Sequence, residues 1–178
     1  SLAAAVFALA FVIFLAQSVR SERERNTVQL DQDLLWLKQA LRIQIAGDQR
    51  ELETLSAILA GQGLGAADYI GRSLSLLQNN PEVIGLEYVD ETGQVRWRSP
   101  NSTIPGRPSI AHPAISTARE QTAERDQTVL TRLIQDEHGN HLLALVTPVK
   151  LVYGGRHDLI AWISLRTMLQ QRTPWWIS

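Results

Sequence analysis

The stretch VIGLEYVDETGQVRWRS, residues 83–99, decides the fold of this chain. Two apolar runs flank Asp90-Glu91-Thr92-Gly93, and glycine supplies the positive φ that a tight turn between antiparallel strands requires. The same pattern returns in LIQDEHGNHLLALV, residues 133–146, where Asp136-Glu137-His138-Gly139 separates two further apolar runs. Strands joined by such short turns must be antiparallel, because parallel neighbours need a long crossover. The sequence therefore predicts two β-hairpins.

Around these hairpins the sequence predicts five strands and several helices. The strands are Val83–Val89, Gln94–Ser99, Thr128–Gln135, His141–Leu151 and Asp158–Leu165. Short helices are predicted over Ala66–Gln78, which ends before Pro81, and over Ala114–Glu124. With a longer helix upstream, this order predicts an α+β fold in which a long N-terminal helix packs on a five-stranded antiparallel sheet.

An apolar segment opens the chain. Residues Leu2–Ala16 contain no charged side chain, and residues 1–19 are predicted to form a transmembrane helix. A spanning helix needs about 20 apolar residues, so the upstream part of this one is expected to precede Ser1. A buried core helix and a secretory signal are the alternatives. The signal is disfavoured because Gln17–Arg20 continues directly into helix-forming sequence.

The charges next to this segment do not place the domain outside the cytoplasm. Arg20, Arg23 and Arg25 follow the apolar segment directly, and the positive-inside rule would draw them toward the cytoplasm. Glu22 and Glu24 alternate with them, but acidic residues contribute little to that rule. Orientation therefore has to be argued from other features.

A stalk is predicted over residues 20–60. Leucines recur there at alternating steps of four and three, which is typical of a heptad stripe: Leu30, Leu34, Leu37 and Leu41. Gly47 is expected to interrupt the helix, and Asp48-Gln49-Arg50-Glu51 has the spacing of a capping box that would restart it. The stripe predicts either dimerisation through the stalk or packing on the domain's own sheet.

The rest of the chain is divided at residue 172. Residues 61–172 are predicted to form one domain that ends in an exit helix beginning near Met168, and 173–178 to begin a following segment. The aromatic pair Trp175-Trp176 fits a membrane interface, but a second sensor module is preferred, because Arg172-Thr173-Pro174 would interrupt a helix that runs straight into lipid. Because Met168 is the single methionine, the chain is expected to be a fragment of a longer protein.

Composition and motifs argue against several function classes. The net charge is −1 with mixed signs, so no electrostatic footprint for nucleic acid is visible. Cysteine is absent, which excludes disulfides and thiolate metal sites. His138 and His141 are separated by a turn, which makes a metal site improbable, and no serine-nucleophile motif is found. The acidic pairs belong to turns, so neither catalysis nor a cofactor is predicted.

The chain resembles the extracytoplasmic Cache sensors, PAS-like in fold, of bacterial histidine kinases, diguanylate cyclases and chemoreceptors. The resemblance is carried by the apolar segment, the long helix after it, NPEVIGL (80–86), DETG (90–93) with Ser99, GNHLLALVTPV (139–149) and LIAWISL (159–165). It covers nearly the whole chain. It implies a sensor domain outside the cytoplasm of a bacterial inner membrane, with a small-ligand pocket on the sheet face opposite the long helix.

The positions that would form such a pocket are Tyr88, Trp97, Arg98, His112, Arg132, Thr147, Lys150 and Tyr153. Arginine offers a planar fork for a carboxylate, and tyrosine and tryptophan offer stacking surfaces with polar tips. Strand alternation puts Arg132 on the face of Leu130 and Ile134, which favours an inward orientation. The family's stringent amino-acid-binding signature is not found, so the ligand class stays open.

The resemblance predicts the input domain of a membrane receptor, most simply a two-component sensor histidine kinase that dimerises through its stalk. A diguanylate cyclase or chemoreceptor sensor is the alternative within signalling. A membrane-anchored dimerisation or interaction module without any ligand is the alternative from another class. No enzymatic activity is expected of this part of the chain.

Overall fold

The computed structural model describes residues 35–172 except 64, 66, 100–107 and 153. The chain divides into two compact units, Ser1–Ile43 and Gln44–Ser178, and the architecture below is that of the second. The predicted transmembrane segment, residues 1–19, lies outside the described residues. Among the described residues, no helix combines the length and the apolar character needed to cross a membrane.

The domain is built from helices on an antiparallel sheet, as predicted. In chain order the elements are α1 (35–62), α2 (Ala67–Asn79), β1 (Val83–Val89), β2 (Val95–Ser99), α3 (Pro113–Arg125), β3 (Val129–Leu130), β4 (Ile134–Gln135), β5 (His141–Lys150), β6 (Arg156–Ser164) and α4 (Leu165–Arg172). The sheet order is β2-β1-β6-β5-β3, with β4 also paired to β5, and each pairing is antiparallel. The last strand, β6, lies at the centre of the sheet, between β1 and β5.

The predicted third strand, Thr128–Gln135, is wrong as a single strand. Leu130 pairs with Leu145 but Ile134 pairs with Leu142, so the segment between them contains one residue more than its partner. Thr131, just before the extra residue, lies opposite Ala144: its backbone N–H donates to the Ala144 carbonyl and its Oγ1 accepts from the Ala144 N–H, both at 2.9 Å. A bulge of this kind breaks the alternation of side chains along the strand.

The two acidic turns have the same hydrogen bonds. Asp90 Oδ1 accepts from the backbone N–H groups of Thr92 and Gln94, both at 2.9 Å. Asp136 Oδ1 likewise accepts from the backbone N–H groups of His138, at 2.9 Å, and Asn140, at 2.7 Å. The hydrogen bonds from Thr92 hold the pKa of Asp90 well below its usual range, against the opposing effect of burial. The interpretation of these acids as turn residues is confirmed.

Helices cover both faces of the sheet. On one face, Ile115 and Ala118 of α3 pack with Val146, Ile160 and Trp162 in the main apolar cluster. On the other face, α1 buries its leucines and α2 buries Tyr69; the fully buried α1 leucines are Leu52, Leu55 and Leu59. Adjacent strand residues point to opposite faces, so each strand separates these two layers.

The predicted interruption of the long helix at Gly47 is wrong. Helix α1 continues from 35 to 62 without a break, and Gly63, with φ 80°, follows its end. A glycine inside a helix costs only about 1 kcal/mol, which the burial of Leu52, Leu55 and Leu59 further along α1 offsets. Asp48 is consequently an interior helical residue, not a cap, and its side chain is buried.

Two glycine substitutions should change stability in opposite directions. Gly93→Ala should lower the free energy of unfolding by about 1–2 kcal/mol, because its φ is +83° and the added Cβ would lie 3.2 Å from Nη1 of Arg119. Gly71→Ala, in the interior of α2 with nothing within 4 Å of its Cβ position, should raise it by about 0.5–1 kcal/mol. Urea unfolding measures both. Equal effects of the two changes would contradict the turn geometry.

Candidate functional site

A buried carboxylate lies on the α3 face of the sheet. Glu87 is 1% exposed, and the indole Nε1–H of Trp162 donates to its Oε2 at 2.9 Å. Its cross-strand neighbour Arg98 brings Nε to 3.9 Å from Oε1. A charge removed from water needs such partners, since an isolated buried carboxylate would be strongly destabilising. The Arg98 side chain itself is 35% exposed, so its guanidinium is accessible to a ligand.

A second polar group connects α3 to the end of the sheet. Arg119 of α3 donates through Nε to Asp158 Oδ2 at 2.7 Å and through Nη2 to the Asp90 carbonyl at 3.0 Å. Arg156 Nη2 lies 3.6 Å from the other Asp158 oxygen and donates to the Arg119 carbonyl at 3.1 Å. Because both arginines share one buried carboxylate, α3 is fixed against the first acidic turn and the start of β6.

A groove of about 550 Å³ separates α2 from the edge strand β2. Its volume falls in the range of small-molecule sites. The side chains along it combine apolar, aromatic and basic character: Ile70, Ser73, Leu74, Val95, Arg96, Trp97, Arg98 and Ser99. Arg96 also binds Asp90, with Nε 2.5 Å from Oδ2. Arg98 therefore belongs both to this groove and to the Glu87 pair.

Three of the predicted ligand residues lie on the face of α1 and α2. The Tyr88 hydroxyl and Nδ1 of His157 are 2.5 Å apart, and burial, with the charge of Asp90, raises the pKa of Tyr88. The Trp97 ring meets the Tyr69 ring edge-on with centroids 5.2 Å apart. Thr147 is buried, with Oγ1 3.2 Å from that of Thr128. These side chains do not join Arg98 on the α3 face.

The remaining predicted ligand residues are dispersed. His112 caps α3, its Nδ1 accepting from the Ala114 N–H at 3.2 Å. Lys150 is exposed and pairs with Asp126. The expected inward orientation of Arg132 is wrong: it is exposed, because it lies in the bulged segment between β3 and β4. Tyr153 lies outside the described residues.

Sequence inspection missed the residues that make the polar network of the α3 face. Glu87, Arg119 and Asp158 were not predicted as site residues. One signal was available for Glu87, because it is the single charged residue inside the apolar run of β1, and strands buried on both faces rarely contain an unpaired charge. No such signal exists for Arg119, which lies in a polar helix far from its partners in sequence.

Comparisons with known proteins give both sequence and fold relatives. No protein-family model matches the chain. The C4-dicarboxylate transport sensor protein DctS of Rhodobacter capsulatus is 28% identical over 159 residues, which cover 89% of this chain and 22% of that protein. The chain thus spans about a fifth of the length of this curated relative.

Solved structures share the fold at low identity. An extracellular ligand-binding receptor from Desulfohalobium retbaense superposes with a TM-score of 0.57 at 19% identity, covering 76% of this chain and 25% of that one. The ligand-binding domain of the Pseudomonas fluorescens chemoreceptor CtaA, in complex with L-valine, gives 0.55 at 16% identity, covering 74% and 57%. That of the Pseudomonas aeruginosa chemoreceptor PctC, in complex with GABA, gives 0.51 at 18%, covering 74% and 59%.

These findings confirm the Cache-like fold that the resemblance predicted. The match to a sensor protein extends over most of the chain, and the shared fold is that of ligand-binding receptor domains. Together they support the interpretation of the chain as the sensor domain of a membrane receptor.

Proposed function

We propose that this chain is the periplasmic input domain of a sensor histidine kinase in a bacterial inner membrane, and that it binds a C4-dicarboxylate. The observation that carries the proposal is the match over 159 residues to a C4-dicarboxylate transport sensor protein. The fold likeness to receptor domains in complex with GABA or L-valine supports a small carboxylate as ligand.

Arg98 is the residue we propose to bind a ligand carboxylate. Its distance of 3.9 Å from Glu87 is longer than a hydrogen bond, so a ligand carboxylate could offer it a better acceptor. The planar guanidinium fork suits bidentate binding of a carboxylate. Trp97 also lines the groove, but its ring packs against Tyr69 on the other face of the sheet, so it has no role in this proposal. Of the other predicted positions, Arg132 and Lys150 have no role in this proposal.

Signalling would follow from a ligand that binds two arrangements of the domain with unequal affinity. Arg98 lies on β2, which pairs with β1, and β1 pairs with the central strand β6 that continues into α4. A shift at β2 would thus reach the exit helix through two antiparallel pairings. We further propose that the receptor is a homodimer joined through the stalk, whose heptad stripe continues into the described residues at Leu37 and Leu41.

Ligand-dependent melting of the purified chain in detergent tests the proposal. The compounds tested are succinate, malate, fumarate and single amino acids. A C4-dicarboxylate should raise Tm, since a ligand at 100 times its Kd adds about 2.7 kcal/mol of stability. Arg98→Ala should weaken binding by about 10- to 100-fold, because a hydrogen bond between charged groups contributes about this factor to affinity. Isothermal titration measures the change in Kd.

Arg132→Ala is the matched control, because it also removes one arginine and Arg132 is exposed. It should bind the ligand as the unmodified chain does. Equal losses in both variants would mean that net charge, not the Arg98 site, governs binding.

A ligand-free anchored dimerisation module is the second candidate function. A panel in which no compound shifts Tm would favour it. The residues that follow Ser178 in the full-length protein decide the output: a dimerisation helix with a phosphoacceptor histidine would support the kinase, and a cyclase or chemoreceptor signalling domain would replace it.

A further inference from the structure

Two carboxyl groups are buried together where α1 meets the beginning of β1. Asp48 of α1 is 2% exposed and Glu82, directly before β1, is 1% exposed. The side-chain amide of Gln44 donates to Glu82 Oε1. Asp48 Oδ2 and Glu82 Oε2 are both buried without a hydrogen-bond partner in the described structure. Two ionised carboxylates would repel each other there, and each would lack the solvation that burial removes.

The pair lies at the junction of the incoming and outgoing helices. The Glu82 carbonyl accepts from the backbone N–H of Ser164 at 2.8 Å, and Ser164 is the last residue of β6 before α4 begins. On α1, the Gln44 amide donates to the side chain of the same glutamate, and Asp48, one helical turn further on, is close enough for the charge of Glu82 to raise its pKa. Any change of charge at this pair therefore acts where α1, the sheet and α4 meet.

No basic side chain of the described residues compensates these charges. The charged groups of the neighbouring α1 and α4 turns, Arg50, Glu51 and Arg166, are exposed. On β1 and β6, the acids Glu87 and Asp158 have their own partners on the α3 face. Burial, followed by the charge of Glu82, raises the pKa of Asp48 to about 7, and the hydrogen bond from Gln44 opposes this only in part.

We propose that Asp48 holds a proton beside Glu82, and that this proton keeps α1 on the end of the sheet where α4 begins. Loss of the proton as the pH rises leaves two buried negative charges, and α1 loosens at this end. The proton thus acts as a second ligand of the domain, whatever small molecule binds at β2. The inference does not rest on the proposed function.

The direction of the pH dependence follows from the protons bound in each state. Burial raises the pKa of Asp48 from its ordinary value of 3.8, which applies in the unfolded chain, to about 7 in the folded domain. The folded domain therefore binds more protons between these values, and its stability falls as the pH rises through this window. A carboxylate whose pKa is lowered, such as Asp90, has the opposite effect on stability. Its contribution is lost as the pH falls, and this loss occurs at lower pH than the range from 5 to 8.

Melting of the chain in detergent between pH 5 and 8 tests the role of the Asp48 proton. Tm of the unmodified chain should fall by about 6 °C over this range. Asp48→Asn should remove most of that fall. Glu82→Gln, which serves if the first variant folds poorly, should reduce it in part, because the burial of Asp48 remains. Glu51→Gln removes an exposed acid of the same helix and should keep the full dependence. A Tm that is constant or rises, or the same fall in Asp48→Asn, would overturn the proposal.

Hydrogen exchange locates the effect. After correction for intrinsic exchange, amides of the α1 segment 44–55 should lose protection about 10-fold between pH 6 and 8, while amides of β5 should keep theirs. Asp48→Asn should show no such loss. Equal loss of protection in α1 and β5 would contradict local loosening at the junction, because the domain would then be opening as a whole.

Discussion

Trp162→Ala is expected to lower the free energy of unfolding by about 3–5 kcal/mol, the cost of removing a large buried aromatic side chain. Trp162 is fully buried in the cluster that joins α3 to the sheet, and it lies on the central strand β6. A loss of this size is a large fraction of the total stability of a domain. Urea unfolding followed by far-UV circular dichroism should show an earlier midpoint.

Trp162→Phe separates packing from hydrogen bonding at the same position. Phenylalanine keeps most of the apolar contact but removes the Nε1–H that donates to Glu87, so a buried carboxylate oxygen loses its donor. We expect a loss of about 1–3 kcal/mol from this change. If the double variant Trp162→Phe with Glu87→Gln loses less stability than Trp162→Phe alone, the penalty comes from the Glu87 charge that has lost its indole donor.

Trp36→Ala is the matched control for the tryptophan series. Trp36 is 54% exposed, and exposed substitutions usually change stability by less than about 0.5 kcal/mol. A destabilisation of Trp36→Ala as large as that of Trp162→Ala would contradict the assignment of Trp162 to the core. A Trp162→Ala variant that unfolds at the midpoint of the unmodified chain would contradict it as well.

The local parts of the fold were predictable because short-range chemistry determines them. The Asp90 side chain forms its turn with backbone N–H groups two and four residues further on, so five residues of sequence are enough to recognise it. Strand β1 was predicted with the bounds that it has. Helices α2 and α3 were predicted to within one residue at each end, since proline and asparagine mark their limits.

The errors arise where tertiary contacts override local preference. Gly47 does not end α1, because the leucines that follow it in the same helix are buried on the sheet. The split of the third strand depends on two hydrogen bonds between Thr131 and Ala144, which no local pattern announces. In both cases the deciding partner lies in a part of the chain that is distant in sequence.

The candidate site was predicted only in part for the same reason. Arg98 was identified, but its partner Glu87 comes from the preceding strand through the hairpin register. The β-bulge at the end of β1 shifts the register, so counting residues back from the turn does not give this pair directly. The contact of Trp162 with Glu87 joins residues 75 apart in sequence. A single sequence does not contain this information.

Asp158→Ala is expected to cost about 3 kcal/mol, because it leaves the Arg119 and Arg156 guanidinium groups without their carboxylate in a largely buried setting. Arg119 would keep its bond to the Asp90 carbonyl, so α3 should remain formed but less firmly attached. Urea unfolding measures the total loss. Trypsin cleavage within α3 measures its detachment and should become faster than in the unmodified chain.

A double-mutant cycle with Arg119→Ala separates the interaction of Arg119 with Asp158 from the effects of the single changes. The double variant should be more stable than the sum of the two losses predicts, because removing both partners leaves fewer unpaired charges. Lys150→Ala is the matched control: its pair with Asp126 is exposed, and such pairs contribute at most about 1 kcal/mol. Additive losses for Asp158 and Arg119 would show that the two side chains do not depend on each other.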